Sequence, residues 1–149
     1  MTVSAVVVAD LDALVPLFAG YLQFYQVPRP AGEIHAFLYE RLQRGDAQLF
    51  IARDEQGMAQ GFTQLYPSFS SVSLARIFVL NDLFVHECAR RKGVASKLLS
   101  AATEFAQALG AVRVSLSTAV SNESAQAVYQ AAGWTRDQQF LVYHFPISR

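Results

Sequence analysis

The run Arg90-Arg91-Lys92-Gly93-Val94-Ala95-Ser96 sets three cations directly before a glycine and an alanine, in the spacing Arg90-x-x-Gly93-x-Ala95. At a turn from strand to helix, small residues let a ligand approach the backbone closely. The first N–H groups of the helix point outward there, and the helix dipole adds partial positive charge to that of the three side chains. A pyrophosphate fits these donors, and Ser96 adds a hydroxyl. The run is not a Walker loop, since no Gly-Lys-Ser/Thr ends it, and it lacks the Gly-x-Gly-x-x-Gly of a dinucleotide fold. Taken alone, the same residues also describe a helix with a solvated basic start.

The second feature with chemical capacity is Asp82, inside the long apolar run Val72 to Val85. By strand alternation Asp82, Phe84 and His86 share one face. A buried carboxylate without a partner is costly, so Asp82 has either a function or a structural ion pair or bond to a loop amide. His86 and Glu87 have no metal-ligand spacing to His35 or His144, and no metal is assigned. Cys88 reads as a loop residue, and as the single cysteine it excludes an internal disulfide.

These residues need a scaffold, and the composition allows one. Of 149 residues, 52% are apolar and 16% charged, which suits a soluble folded chain with one core. Twelve basic and twelve acidic residues leave no net charge, so neither nucleic acid nor an anionic membrane is an expected partner. No apolar run reaches the ~20 residues of a membrane span. The N-terminus lacks the charged start of a signal peptide, and a cytoplasmic location is expected.

Apolar periodicity orders the elements. Val3 to Val8 reads as a strand, followed by Asp10 as the N-cap of a helix carrying Leu11, Leu14, Val15, Leu17 and Phe18. Pro28-Arg29-Pro30 stops that helix before a second one with Ile34, Phe37, Leu38 and Leu42. Gln48 to Arg53 and Met58 to Tyr66 form a hairpin about the turn Asp54-Glu55-Gln56-Gly57. Pro67 to Ser71 reads as a loop, and Val72 to Val85 as a buried strand. Val94, Leu98, Leu99, Ala102, Phe105, Ala106 and Leu109 mark a helix ended by Gly110. A strand from Val112 to Ser117, a helix from Asn122 to Ala131 and a strand from Phe140 to Phe145 complete the order βααβββαβαβ, with a short strand also open near Trp134. A single α+β domain over residues 1–149 with one mixed sheet is expected.

The stretch Leu80 to Val85 followed by Arg90 to Leu99 resembles motif A of the GCN5-related N-acetyltransferases, whose signature is Gln/Arg-x-x-Gly-x-Gly/Ala. About thirty residues on, Asn122-Glu123-Ser124-Ala125-Gln126-Ala127-Val128-Tyr129-Gln130-Ala131-Ala132-Gly133-Trp134 resembles motif B, in the family's order and spacing. The resemblance implies an α+β, three-layer acyltransferase fold: a central mixed, mostly antiparallel sheet, splayed between two strands and flanked by helices. It implies acetyl-CoA as co-substrate and a small-molecule amine or peptide as acceptor. Homodimers are common in the family, and one is expected here.

Residue by residue, the resemblance places the pantetheine arm against the backbone of Phe84 and Val85. It places the pyrophosphate on Arg90, Arg91, Lys92, Gly93, Val94, Ala95 and Ser96, with Asn122 as a further bond to the cofactor and as helix N-cap. Tyr129 matches the general acid that protonates the departing thiolate; on composition alone it is equally a packed helix tyrosine. Asp82 becomes the leading candidate for general base. Asn81-Asp82 occupies the place of the paired acids of polyamine-type members, with Asn replacing one of them. Tyr21, Phe24 and Tyr25 lie where the family shapes its acceptor pocket, and helix packing explains them as well. The competing function is a catalytically idle acyl-CoA-binding or sensor domain.

Overall fold

The computed structural model describes all residues from Met1 to Arg149. The chain divides into two compact units, Met1–Ser117 and Thr118–Arg149. The first contains β1 (Thr2–Ala5), α1 (Leu11–Phe24), α2 (Ala31–Arg44), β2 (Gln48–Arg53), β3 (Ala59–Ser70), β4 (Ala75–Val85), α3 (Val94–Ala108) and β5 (Val114–Ser115). The second contains α4 (Glu123–Ala131). No helix is long and apolar enough to cross a membrane.

The sheet has the order β1-β2-β3-β4-β5. Its first four strands pair antiparallel, and β5 joins β4 in parallel. Alternation along β2 divides the core between the two faces of this sheet. Leu49 and Ile51 pack with Leu11, Leu14, Leu38 and Phe62, which puts α1 and α2 on one face. Ala52 and Phe50 pack with Val94 and Leu98 of α3 on the other. Helix, sheet and helix thus form the three layers of an α+β fold, and removing each of the fully buried leucines from water contributes roughly 1.5–3 kcal/mol.

Several expected boundaries move, each for a non-local reason. The first strand ends at Ala5, and Val8–Asp10 is a 3-10 turn. Asp10 stands before α1 without capping it: its carboxylate accepts from the Val7 N–H at 2.8 Å and from Arg53 at 2.8 Å. The expected loop Pro67 to Ser71 is mostly strand, because β3 continues to Ser70. Proline is tolerated there because β2 ends opposite Leu65, so that beyond this point β3 needs no donor on that side. The expected strand Val112 to Ser117 shrinks to Val114–Ser115. Phe140 to Phe145 is not a strand, nor is there one near Trp134. An alternating run becomes a strand only where a neighbour takes its backbone bonds, and none of the five strands pairs with it.

One glycine fixes how closely β3 and β4 approach. A Cβ on Gly61 would lie 2.7 Å from the Phe84 carbonyl oxygen, a backbone atom that cannot swing aside. Gly61→Ala is therefore expected to lower the unfolding free energy by about 1–3 kcal/mol in urea denaturation; an unchanged midpoint would contradict this close approach.

Candidate active site

The strand β4 is bonded unequally on its two sides. Towards β3 it pairs from Ala75 to Val85, whereas β5 meets it only at Phe78 and Val79. From Leu80 onward, the backbone groups facing away from β3 have no strand partner, which is the splay of a sheet opened between two strands. Asn81 lies at the opening. Gln64 pairs with Asp82 and Leu65 with Leu80, so Asn81 is an extra residue with no partner, a bulge that re-aims its neighbours.

Next to the bulge, Asp82 is buried. Its carboxylate accepts from Gln64 Nε2 at 2.7 Å and from Asn81 Nδ2 at 3.0 Å, and its carbonyl accepts from Thr63 Oγ1 at 2.8 Å. All three donors are neutral. The ion pairs of the chain join Arg29, Arg41, Arg44 and Arg53 to Glu33, Glu40, Asp46 and Asp10, and none includes Asp82. The structural ion pair that would explain Asp82 is absent. The second oxygen-bearing group here, Gln64 Oε1, is enclosed without a donor. Turning the amide over would set oxygen against carboxylate, so the observed orientation is the favourable one and leaves an acceptor over. A carboxylate and an amide oxygen without a cation or donor suit a ligand that brings positive charge and N–H groups.

Aromatic rings cover the same place. Tyr21 packs edge-on against Phe62 at 5.7 Å and Phe84 at 6.2 Å between centroids, and its hydroxyl donates to the Asn81 carbonyl at 3.4 Å. Burial, and then the negative charge and hydrogen bond of Asp82, push the Tyr21 phenol well above its ordinary range. Tyr66 is pushed up to about 12, by burial first and then by Asp82, with Arg41 pulling it back. Both phenols are therefore neutral donors at physiological pH. Tyr25 packs on Tyr21, while Phe24 stands further out against Tyr25, more than half exposed.

The basic loop follows β4. Glu87–Ala89 forms a 3-10 turn capped by His86, whose Nδ1 accepts from the Cys88 N–H at 3.2 Å. Arg91 has φ 64° and Gly93 φ 79°, left-handed conformations that curl the backbone ahead of α3. Glycine suits this position: its φ is unfavourable for a side chain, and no side chain caps the helix. Val94, Leu98 and Leu99 are buried and anchor the first turns of α3, while Arg90, Arg91, Lys92 and Gly93 are exposed. Arg90 is partly committed, since its Nε donates to the Val85 carbonyl at 3.1 Å and its guanidinium lies 5.8 Å from the Phe84 ring centre. Arg91 and Lys92 enter no ion pair. An uncapped helix start beside free cations fits an anionic group such as a pyrophosphate.

The structure thus gathers Tyr21, Asn81, Asp82 and Phe84 and sets the loop from Arg90 to Ser96 at the end of the same strand. Asn122 and Tyr129 belong to the second unit. There Asn122 Oδ1 accepts from the Ala125 N–H at 3.2 Å as the N-cap of α4, and the Tyr129 ring lies 6.3 Å from that of Trp134. Gln64 and Thr63 were not singled out in the sequence; the available signal was two adjacent polar residues between Phe62 and Leu65 in an otherwise apolar strand. No cluster of three or more His, Cys, Asp or Glu side chains has the geometry to hold a metal ion.

Residues 14–134 match the family model described as the Acetyltransferase (GNAT) family. The chain is 43% identical over 135 residues to YhfO of Bacillus subtilis, described as an uncharacterized N-acetyltransferase, covering 91% of this chain and 90% of that protein. A crystal structure of a probable acetyltransferase, also 43% identical, superposes with a TM-score of 0.95 over 100% of this chain and 99% of that one. The aminoglycoside N-acetyltransferase AAC(6')-Iy in complex with CoA, 22% identical, shares the fold with a TM-score of 0.81, covering 98% of this chain and 95% of that one.

The raised phenols make stability depend on alkaline pH. Tyr66 keeps its proton in the folded chain up to about 12, whereas the unfolded chain loses it near the ordinary 10.0. The stability from this source is complete below pH ~10 and is lost as pH rises towards ~12. Urea midpoints are expected to fall over that interval, and less steeply for Tyr66→Phe; parallel slopes for the two proteins would contradict the assignment.

Proposed function

This chain belongs to the GNAT family of acetyltransferases and is an N-acetyltransferase; from that premise we propose that it transfers the acetyl group of acetyl-CoA to a primary amine of a small molecule or peptide, by direct attack in a ternary complex. The observation that carries this reading is the buried Asp82, which has neutral donors on both oxygens and no cation, at the opening of β4. Two solved structures that share the fold hold CoA and the bisubstrate analogue CoA-S-monomethyl-acetylneamine, which supports a CoA thioester lying along the unpaired edge of β4.

In this reading the pyrophosphate lies on the N–H groups that open α3, with Arg91 and Lys92 supplying charge and Arg90 holding the end of β4. The acceptor enters as an ammonium ion. Asp82 and Gln64 Oε1 attract it, and Tyr21 and Tyr66 exclude water from the same place. Loss of one proton, to Asp82 directly or through a water, frees the nitrogen lone pair. The nitrogen attacks the thioester carbonyl, a C–N bond forms, and the C–S bond breaks. Backbone N–H groups near Phe84 and Val85 stabilise the oxyanion, a term worth several kcal/mol when the donors are preorganised. Tyr129 gives its proton to the departing thiolate and is reprotonated, through solvent, by the second proton that the nitrogen sheds as the amide forms, and Asn122 adds a bond to CoA. One domain over residues 1–149, working in the cytoplasm with no metal, nucleic acid or membrane, completes the proposal.

Release of free thiol from acetyl-CoA, measured against a panel of amines and peptide N-termini, tests it. Turnover is expected with at least one primary amine. Tyr129→Phe should lower kcat on the order of 10²-fold, and full activity in that variant would remove Tyr129 as the acid. Arg91→Ala combined with Lys92→Ala should raise the KM for acetyl-CoA about tenfold with kcat little changed. Tight acetyl-CoA binding without turnover of any amine would instead favour the idle, acyl-CoA-sensing alternative.

A further inference from the structure

The charges around Asp82 sum to one. Besides Asp82, the charged groups whose fields reach the Tyr21 and Tyr66 phenols are Arg41 and Asp46. These two cancel, because Arg41 Nε donates to Asp46 Oδ1 at 2.7 Å. Arg41 also lies 3.6 Å from Glu40, whose carboxylate holds Arg44 at 2.9 Å, so the end of α2 and the turn after it close as two cations with two anions. What is left is the Asp82 carboxylate beside Gln64 Oε1, an acceptor on a fully buried side chain with no donor. One ammonium group suits both, since it brings a single positive charge and up to three N–H donors. A second ammonium on the same molecule would meet no free anion, and taking it out of water there would be a net cost.

A row of rings, and no further charge, leads outward from this place. Phe84 shares the strand face of Asp82. Its ring lies 6.2 Å from that of Tyr21, Tyr21 lies 5.1 Å from Tyr25, and Tyr25 lies 5.3 Å from Phe24, each pair edge to face. A Cβ on Gly20 would stand 3.1 Å from the Phe84 ring, so the glycine of α1 leaves this ring its seat. Phe84 and Tyr21 are half-buried, whereas Tyr25 and Phe24 are 52% and 56% exposed. A lone exposed ring needs no explanation, but two that continue a buried row ending at a carboxylate mark a binding surface. Such rings hold a flat apolar body and attract a nearby ammonium through their faces. They offer nothing to a molecule covered with hydroxyls and further ammonium groups.

Resting on the acetyl transfer to an amine put forward above, we propose that the acceptor is a monoamine with an aromatic body. Its one primary ammonium sits on Asp82 and Gln64 Oε1, and its ring lies on Tyr25 and Phe24. Polyamines and aminoglycosides are rejected because the site has no second anion for them.

Thiol release from acetyl-CoA with phenethylamine, ethylamine, spermidine and kanamycin tests it, together with calorimetry of each amine added to the full chain with CoA present. The kcat/KM for phenethylamine is expected to exceed those for spermidine and kanamycin at least about 100-fold, the effect of an unpaired desolvated charge. It should exceed that for ethylamine about tenfold, and the double variant Phe24→Ser, Tyr25→Ser should abolish this second preference. Both side chains are more than half exposed, and far-ultraviolet circular dichroism checks that the variant folds; if it does not, the amine panel on the unaltered chain decides. Turnover of spermidine or kanamycin as efficient as that of phenethylamine overturns the monoamine acceptor and leaves acetyl transfer standing. So does a preference for phenethylamine over ethylamine that survives in the folded variant. Selective binding of phenethylamine without thiol release from any amine supports the acceptor class and removes the transfer reaction, whereas neither binding nor release removes both.

Discussion

The arrangement around Asp82 depends on a negative charge kept out of water without a positive one beside it. Asp82 is 4% exposed, and Gln64 and Asn81 give its carboxylate hydrogen bonds but no charge. Neutral donors recover part of the lost hydration and leave the electrostatic cost standing. The surroundings reflect that cost. Tyr21 and Tyr66, raised first by their own burial, hold their protons more tightly still beside Asp82, and the Gln64 amide is turned so that its own oxygen is left without a donor. A group held at such expense is economical only if something positive arrives, and an acceptor ammonium is the cation that acetyl transfer to an amine brings.

The backbone of β4 connects this charge to the rest of the first unit. Towards β3 the strand is fully paired and pinned by the Gly61 contact, which fixes the height of Asp82 and Phe84. On its other side β5 stops after Val79, leaving an unpaired edge that ends at the uncapped, cation-flanked start of α3. One strand therefore carries a site for a cation, an edge for an extended ligand and a turn for an anion, in that order. A thioester of CoA meeting an amine needs the same order. Arg90 contributes through the protein itself, tying its guanidinium to Val85 where the strand becomes loop.

Local pattern made much of this legible. The helices α1, α2 and α3 and the β2–β3 hairpin follow from apolar spacing and turn residues, and the strand-to-helix turn at Arg90–Ser96 from its glycine and cations. Asn122 capping α4 follows from residue type. What the sequence hid depends on partners distant along the chain. Pro67 lies within β3 because β2 has already ended, and Asp10 serves Arg53 instead of α1. The bulge at Asn81 is a matter of register between two strands, and Gln64 matters only because that register sets it opposite Asp82. The run Phe140 to Phe145 has the composition of a strand but pairs with none of the five, since composition states a preference and pairing requires a neighbour.

Whether the Asp82 charge is truly uncompensated can be measured through stability alone, by urea unfolding of Asp82→Asn beside the unaltered chain at neutral pH. Asparagine keeps the shape and removes the charge: its Oδ1 accepts from Asn81, and the Gln64 amide turns over so that its Oε1, otherwise without a donor, accepts from the new Nδ2. The variant is expected to be at least as stable as the parent. A loss of about 3–5 kcal/mol, the cost of breaking a buried ion pair, would mean that a cation of the protein already balances Asp82, and would contradict its role as the anchor for an incoming amine.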